Sequence, residues 1–323
     1  MIKTKVTEML GCKYPIISGT MANISNPEFV AAVSNAGACA VLASANYKTP
    51  DELREAIKKT QSLTDKPFAV NINLFPAMMP QAKLVEYVGA TLDEGAKIIE
   101  TSGHKAPADL VPTFKDGGAI WIHKCAGVRY AKTAASLGAD IITVVGYENG
   151  GATGTLDIGT LVMTPCVVDA IDVPVIAGGG VTDGRGVAAI LALGAEGVIM
   201  GTRMMATQEC PIHDNLKQAF VQAKETDTHL VMRSIRNTHR VWRNKAAEKI
   251  IELESKNASL EEIIQVASGQ NALKMYREGE IDVGMVSCGQ GIGLIKDIPT
   301  AKELLDRIME EAETVINKLK SKL

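Results

Sequence analysis

Short apolar runs of strand type alternate with longer amphipathic segments through the first two-thirds of the chain. The runs are rich in β-branched residues and recur roughly every twenty to thirty-five residues, the length of a strand followed by a helix. The predicted strands are YPIIS (14–18), ACAVLAS (38–44), PFAVNI (67–72), AKIIETS (96–102), AIWIHK (119–124), ADIITVVG (139–146), VPVIAGG (173–179) and EGVIMGT (196–202).

The segments between these runs carry helix signals. Asn26-Pro27 and Thr49-Pro50 each place a capping side chain before a proline, as at a helix start. Gly37, Gly138 and Gly194 stand where helices are expected to end. Strands this apolar are buried on both faces, as in a parallel sheet covered by helices.

The number of strand–helix repeats favours an α/β fold of the TIM (β/α)8 barrel type over its rival, a doubly wound open sheet. After the eighth run the pattern changes, and residues 206–285 show helical periodicity without a convincing strand. We predict that residues 1–205 and 286–323 form this barrel. Residues 206–285 are predicted to form a small, late-inserted helical subdomain.

The composition excludes several classes of function. The 323 residues are 46% hydrophobic and 22% charged, which is typical of a globular protein. A net charge of −3 and an aromatic content of 4% argue against nucleic-acid binding and against a basic membrane-binding surface.

Membrane and metal signals are weak in the sequence. No apolar run approaches the roughly eighteen residues of a membrane span, and the first fifteen residues lack a signal-peptide core. The six cysteines are scattered, without a CxxC pair. This pattern argues against a structural zinc site or a disulfide framework and favours a reducing cytoplasm. We expect a cytoplasmic protein that holds no metal.

Glycine-rich stretches follow three neighbouring predicted strands: Gly150-Gly151, AGGG (177–180) and MGTR (200–203). The carboxyl ends of barrel strands form the active face, and the loops after the seventh and eighth strands commonly bind phosphate. Glycines let the backbone approach an anion. One such loop alone would be explained by a tight turn, but two adjacent ones favour phosphate binding.

Lys124 ends the fifth predicted strand. Its ammonium group could neutralise a phosphate or an anionic flavin ring at the mouth of the barrel, although a solvated rim lysine has the same signature. His123 alternates with Lys124 and should therefore point the other way, into the core or toward a helix.

The chain resembles the nitronate monooxygenase (2-nitropropane dioxygenase) superfamily, which includes enoyl-acyl-carrier-protein reductase II and NADH:quinone reductases. The resemblance implies a TIM barrel that holds FMN beneath a helical lid. The late segments resemble the NADH:quinone reductase branch most closely. The motifs that carry the resemblance are YPIISGTM, DKPFAVNINLFP, IHKCAGVRYA, PVIAGGGVTDGRGVAAILALGAEGVIMGTR, ECPIH, VMRSIRNTHRV and GQGIGLI…DIP.

The resemblance also implies site residues, position by position. Gln290, in the late GQG turn, is expected to close over the flavin ring. The implied phosphate contacts are Gly150, Gly151, Gly179, Gly180, Gly201 and Thr202. The implied ring contacts are Gly19, Thr20, Met21, Asn71, Thr101 or Ser102, and Lys124.

The loop GYENGGATG (146–154) departs from the family pattern GxEAGGHxG, in which the histidine lies beside the flavin. Ala152 takes that place here, and an alanine methyl can neither accept a proton nor orient an oxyanion. His104, after strand four, and Tyr147, after strand six, are the candidate catalytic residues. A surface loop histidine is the alternative for His104. Glu148, the acid of the family pattern, could be purely structural.

Four arginines, at positions 233, 236, 240 and 243, have the spacing of one helix face. Such a stripe would suit the phosphates of NAD(P)H, coenzyme A or a carrier protein. Ion pairs with the acidic helices downstream explain the spacing equally well.

These observations predict an FMN-dependent oxidoreductase that uses NADH or NADPH to reduce a quinone or an enoyl thioester. Hydride transfer from nicotinamide to flavin requires stacking and positioning, so the missing histidine is tolerable for this step. A nitronate monooxygenase acting with O2 ranks second, and a non-redox flavin-binding isomerase third. We expect a small-molecule substrate, with neither nucleic acid nor membrane as partner, and leave a homodimer open.

Overall fold

The computed structural model describes residues 2–74, 81–103, 105–235 and 237–322. Within these ranges the strands are β1 (Ile16–Ser18), β2 (Cys39–Ala43), β3 (Phe68–Asn73), β4 (Ile98–Ser102), β5 (Ile120–Cys125), β6 (Ile141–Val145), β7 (Gly151–Ala152), β8 (Val175–Gly178), β9 (Gly197–Met200), β10 (Thr228–Val231) and β11 (His239–Trp242).

Eight of these strands close into a parallel barrel in the order β1-β2-β3-β4-β5-β6-β8-β9. The first and last strands pair directly, with Ile17 opposite Ile199, so no barrel edge is left open. The TIM-barrel prediction and all eight predicted strands are therefore confirmed, and the open sheet is excluded.

Helices cover the outside of the barrel at the predicted places. The capping predictions are confirmed, because the side chain of Asn26 accepts a hydrogen bond from the Phe29 amide and that of Thr49 accepts one from Glu52. The helices are α1 (Lys5–Leu10), α2 (Pro27–Asn35), α3 (Pro50–Leu63), α4 (Gln81–Asp93), α5 (Val111–Asp116), α6 (Val128–Ser136), α7 (Thr160–Val168), α8 (Gly184–Ala192), α9 (Thr202–Met205), α10 (Asp214–Gln222), α11 (Lys245–Ser255), α12 (Leu260–Ala267), α13 (Gly269–Glu278) and α14 (Ala301–Lys320).

Two hydrophobic layers result from the period-two alternation along the strands. Inward-facing residues such as Ile17, Val41 and Ile176 fill the barrel, together with Val6 of α1. Outward-facing residues such as Trp121 pack against the helices. No helix in the described part of the chain is long and apolar enough to cross a membrane.

The expectation that residues 206–285 contain no strand is wrong. β10 and β11 form an antiparallel pair, and β11 also pairs with β7, which gives a second, three-stranded sheet. VMRSIRNTHRVWRN is thus largely strand and turn. The apolar–polar alternation of a strand is not visible in this segment because a buried position is taken by a charged residue. Arg240, of a type usually exposed to water, is only 3% exposed in this sheet. The division of the chain at residues 205/206 and 285/286 remains a prediction.

Candidate active site

A buried carboxylate organises the mouth of the barrel. Glu100 Oε2 accepts hydrogen bonds from Thr20 Oγ1 and Asn71 Nδ2, both at 2.7 Å. Lys124 Nζ lies 3.7 Å from the same oxygen. Three of the implied ring contacts are therefore held together by one side chain that the sequence analysis missed. The available signal was an acid at an inward position between apolar residues of β4.

The two alternatives at the end of β4 point in different directions. Ser102 Oγ accepts a hydrogen bond from Asn71 Nδ2 at 3.2 Å, beside Glu100. The Thr101 hydroxyl is fully buried on the helix side, where Trp121 Nε1 donates to it at 2.8 Å. Between these two, Ser102 presents its side chain to the mouth.

His123 also lies on the helix side, as its alternation with Lys124 predicts. Its side chain is fully buried, with Nδ1 2.8 Å from Thr101 Oγ1. Burial lowers the pKa of His123 to about 4. The imidazole is therefore neutral at pH 7 and belongs to the packing of the barrel wall.

The glycine rim has the backbone geometry that an anion site requires. Gly151, Gly179 and Gly180 have φ values of +81°, +113° and +75°, a region that L side chains rarely adopt. Gly150 is constrained by space instead, since a Cβ there would lie 2.6 Å from the Gly289 amide nitrogen. A larger residue at any of these positions would displace the rim.

The late glycine turn closes on this rim. The Gly289 amide donates to Thr202 Oγ1 at 2.9 Å, and the Gln290 amide donates to the Glu148 carbonyl at 3.0 Å. A Cβ on Gly291 would lie 2.7 Å from the Gly180 carbonyl oxygen. Residues 289–291 therefore join the loops that follow β6, β8 and β9, and they carry Gln290 to the rim.

The loop after β1 completes the mouth. The Gly19 amide donates to the Met200 carbonyl at 2.9 Å, which holds this loop against the end of β9. Met21 Sδ is 4.0 Å from the position that a Cβ on Gly201 would occupy. The structure thus brings Gly19, Met21 and Gly201 together.

Two candidate residues follow β6, the acid Glu148 and the aromatic Tyr147, and structural contacts hold both of them. Glu148 Oε2 accepts from the amide and the hydroxyl of Thr160, each at 2.8 Å, and so caps the first turn of α7. The guanidinium of Arg240 stacks on the ring of Tyr147, with Cζ 4.5 Å from the ring centroid. Arg240 Nε also donates to the Tyr147 carbonyl at 3.1 Å.

His239 is the imidazole that sequence reasoning overlooked. It lies directly opposite Ala152 in the β7–β11 pair. Its Nδ1 is 2.8 Å from the Asn237 carbonyl oxygen, and burial lowers its pKa. The other candidate, His104, lies outside the described residues, so its placement stays a prediction.

The predicted arginine stripe does not exist as one helix face. Arg240 is buried in β11, where Nη1 donates to Thr228 Oγ1 at 3.0 Å. Arg233 pairs with Asp157, and Arg243 pairs with Glu248 at 3.2 Å. Arg236 lies outside the described residues.

The arrangement fits a flavin mononucleotide. The left-handed glycines and the N-terminus of α9, which has no side-chain cap among the described residues, expose backbone N–H groups on one rim. The polar group around Glu100 stands at the centre of the mouth. Fold and site together define a TIM-barrel flavoprotein oxidoreductase.

Comparison with known proteins agrees with this class. Residues 3–311 match the family model described as nitronate monooxygenase, and the chain belongs to that family. Members of the family, and FabK, are FMN enzymes.

Three relatives show the range of the family. "(3aS,4S,5R,7aS)-5-hydroxy-7a-methyl-1-oxo-octahydro-1H-indene-4-carboxyl-CoA dehydrogenase" of Rhodococcus jostii strain RHA1 is 33% identical over 96% of each chain. "Probable nitronate monooxygenase" of Staphylococcus saprophyticus is 34% identical over 70% of this chain and 75% of its own. The structure of FabK from Thermotoga maritima superimposes with a TM-score of 0.92 at 32% identity and covers 100% of both chains.

Proposed function

We propose that this protein is an FMN-dependent reductase that oxidises NADH or NADPH and reduces an enoyl thioester, carried by coenzyme A or by an acyl-carrier protein. A quinone is the other acceptor class. The observation that carries the proposal is the contrast within one loop. Gly150 and Gly151 have the close packing and the left-handed backbone that suit a phosphate rim, while Ala152 offers no base.

Bound FMN would accept a hydride from the nicotinamide and pass it to the acceptor. The residues of this chain would hold the reactants. The rim from Gly179 to Gly180 and the N-terminus of α9 would bind the phosphate. Lys124, Asn71 and Thr20 would face the ring, and the lid at residues 206–285 would exclude water from the mouth.

The choice of a thioester is supported by the relatives that align over the whole chain. The Rhodococcus protein, whose name includes a carboxyl-CoA group, matches 96% of this chain, and FabK matches 100%. The Staphylococcus nitronate monooxygenase matches 70%.

A nitronate monooxygenase is the second candidate, because the family model carries that description. A nitronate is already an anion, so its oxidation needs no strong base to remove a proton. The absence of the family histidine at Ala152 places this candidate second.

The first test is anaerobic mixing of the purified FMN-loaded protein with NADH and with NADPH. Bleaching of the visible flavin bands within seconds, followed by reoxidation with crotonyl-CoA, would support the proposal. Reoxidation by a quinone but not by crotonyl-CoA would identify the acceptor as a quinone instead of an enoyl thioester. A flavin that is bleached by an alkyl nitronate but by neither nucleotide would favour the second candidate.

A further inference from the structure

The ion pair between Lys124 and Glu100 is close, yet it is not a hydrogen bond. Lys124 Nζ lies 3.7 Å from Glu100 Oε2, beyond hydrogen-bond distance, and within the described residues Nζ has no closer carboxylate. The Lys124 side chain is 22% exposed and that of Glu100 is 1% exposed. Water therefore screens this pair poorly, and each charge acts strongly on its surroundings.

Neutral groups supply the hydrogen bonds of Glu100. Thr20 Oγ1 and Asn71 Nδ2 both donate to Oε2 at 2.7 Å, which leaves Lys124 free to donate elsewhere. The Glu100 carboxylate thus balances the charge of Lys124, while the N–H groups of the lysine can turn toward the open mouth of the barrel. A hydrogen-bond donor and a net positive charge affect a bound flavin ring differently. Only a net positive charge stabilises added negative charge on the ring at a distance.

We propose that Glu100 neutralises Lys124, so that the mouth offers a bound flavin a lysine donor without net positive charge, and that this pairing lowers the reduction potential of the flavin. The inference rests on the cofactor site of the proposed function. Glu100 is in this sense a positioning residue that acts through Lys124 and Asn71. A lower potential makes the reduced flavin a stronger hydride donor.

The direction of each effect follows from charge. Reduction of a flavin adds negative charge to the ring, which Lys124 favours and Glu100 opposes. Glu100→Gln retains the shape and an oxygen acceptor for Thr20 and Asn71, and it should move the midpoint potential in the positive direction. Lys124→Met should move the potential in the negative direction. The double variant should return close to the parent protein.

The experiment measures the midpoint potential by dye-equilibrated reduction with xanthine and xanthine oxidase, together with the affinity of the bound flavin for sulfite. Neither measurement uses NAD(P)H or an acceptor, so both remain valid if the proposed reductase activity fails. We expect Glu100→Gln to bind sulfite about tenfold more tightly and Lys124→Met about tenfold more weakly, the effect of one nearby unit charge.

Glu100→Asp is the matched control. It keeps the charge but shortens the side chain, so a purely structural role for Glu100 would change its flavin properties as much as Gln does. The charge proposal expects Asp to stay near the parent potential. An unmoved or more negative potential in Glu100→Gln would overturn the proposal. If that variant does not fold, the double variant is compared with Lys124→Met, from which it differs only at Glu100, and equal midpoint potentials in the two would also overturn the proposal. Protein that binds no FMN would overturn this proposal and the proposed function together.

Discussion

Ala152 and His239 face each other across the antiparallel pair of β7 and β11. Directly opposed side chains in such a pair project from the same face, with Cβ atoms about 4.5–5.5 Å apart. His239 Nδ1 is 2.8 Å from the Asn237 carbonyl oxygen, so Nδ1 carries the proton and Nε2 the lone pair. The neighbouring strand thus offers an imidazole beside the position where the family pattern has one.

His239→Ala should lower turnover of the acceptor by about a hundredfold or more, the usual contribution of one proton-transferring group. Reduction of the flavin by NAD(P)H should hardly change, since that step requires no base. Stopped-flow absorbance separates the two half-reactions. Ala152→His added to His239→Ala should recover part of the lost turnover.

His229→Ala is the control for this prediction. His229 lies in β10 opposite Val241, in the same small sheet but without Ala152 as partner. Equal losses of turnover in His229→Ala and His239→Ala would mean that His239 only supports the structure of the hairpin and has no role in proton transfer.

Gly150→Ala should abolish FMN retention. The new Cβ would lie 2.6 Å from the Gly289 nitrogen, so the late turn must move away from the rim. Gly89→Ala is the matched control, because nothing lies within 4 Å of a Cβ there. Flavin content per chain after gel filtration checks the prediction, and full occupancy of Gly150→Ala would contradict it.

Only Cys166 among the six cysteines should react quickly with iodoacetamide in the native protein. It is exposed, whereas Cys12, Cys39, Cys125, Cys210 and Cys288 are buried. Burial raises the pKa of the Cys12 and Cys125 thiols to about 11 and that of Cys210 to about 12, which suppresses the reactive thiolate. Peptide mass spectrometry after brief labelling would show one modified site, and Cys166→Ser should remove it.

Stability should fall on acidification through the titration of His123. Its pKa is lowered from 6.5 to about 4 in the folded protein, so between these values the unfolded chain binds more protons. The free energy of unfolding should therefore decrease as the pH falls from about 6.5 toward 4, by on the order of 3 kcal/mol from this group.

His123→Leu removes that titration while keeping the site filled. Urea unfolding of the parent and of His123→Leu across this pH range gives the difference between their free energies of unfolding. The contributions of the other titrating groups cancel in this difference. Parallel pH profiles for His123→Leu and the parent would show that His123 does not carry the dependence.

Local signals in the sequence determined the barrel. Apolar runs such as VPVIAGG and the caps at Asn26 and Thr49 act within a few residues, and hydrophobic burial then selects the closed sheet. The glycine rim could be predicted for the same reason, because φ values such as +113° at Gly179 are a property of single residues.

The hairpin of β10 and β11 could not be predicted, since a strand that buries an arginine has no apolar alternation to reveal it. Only tertiary structure stacks Arg240 on Tyr147, which lies 93 residues earlier in the chain. The same holds for His239, whose partner Ala152 comes from another loop.

The sequence by itself therefore determined the barrel, the family and the glycine rim of this protein, because each depends on short-range patterns. Tertiary structure alone decided the chemistry of the mouth. Glu100 became its centre by meeting Thr20, 80 residues away, and Asn71, 29 residues away. Charge balance and proton transfer depend on distances of a few ångströms, and such distances between remote residues exist only once the barrel has closed.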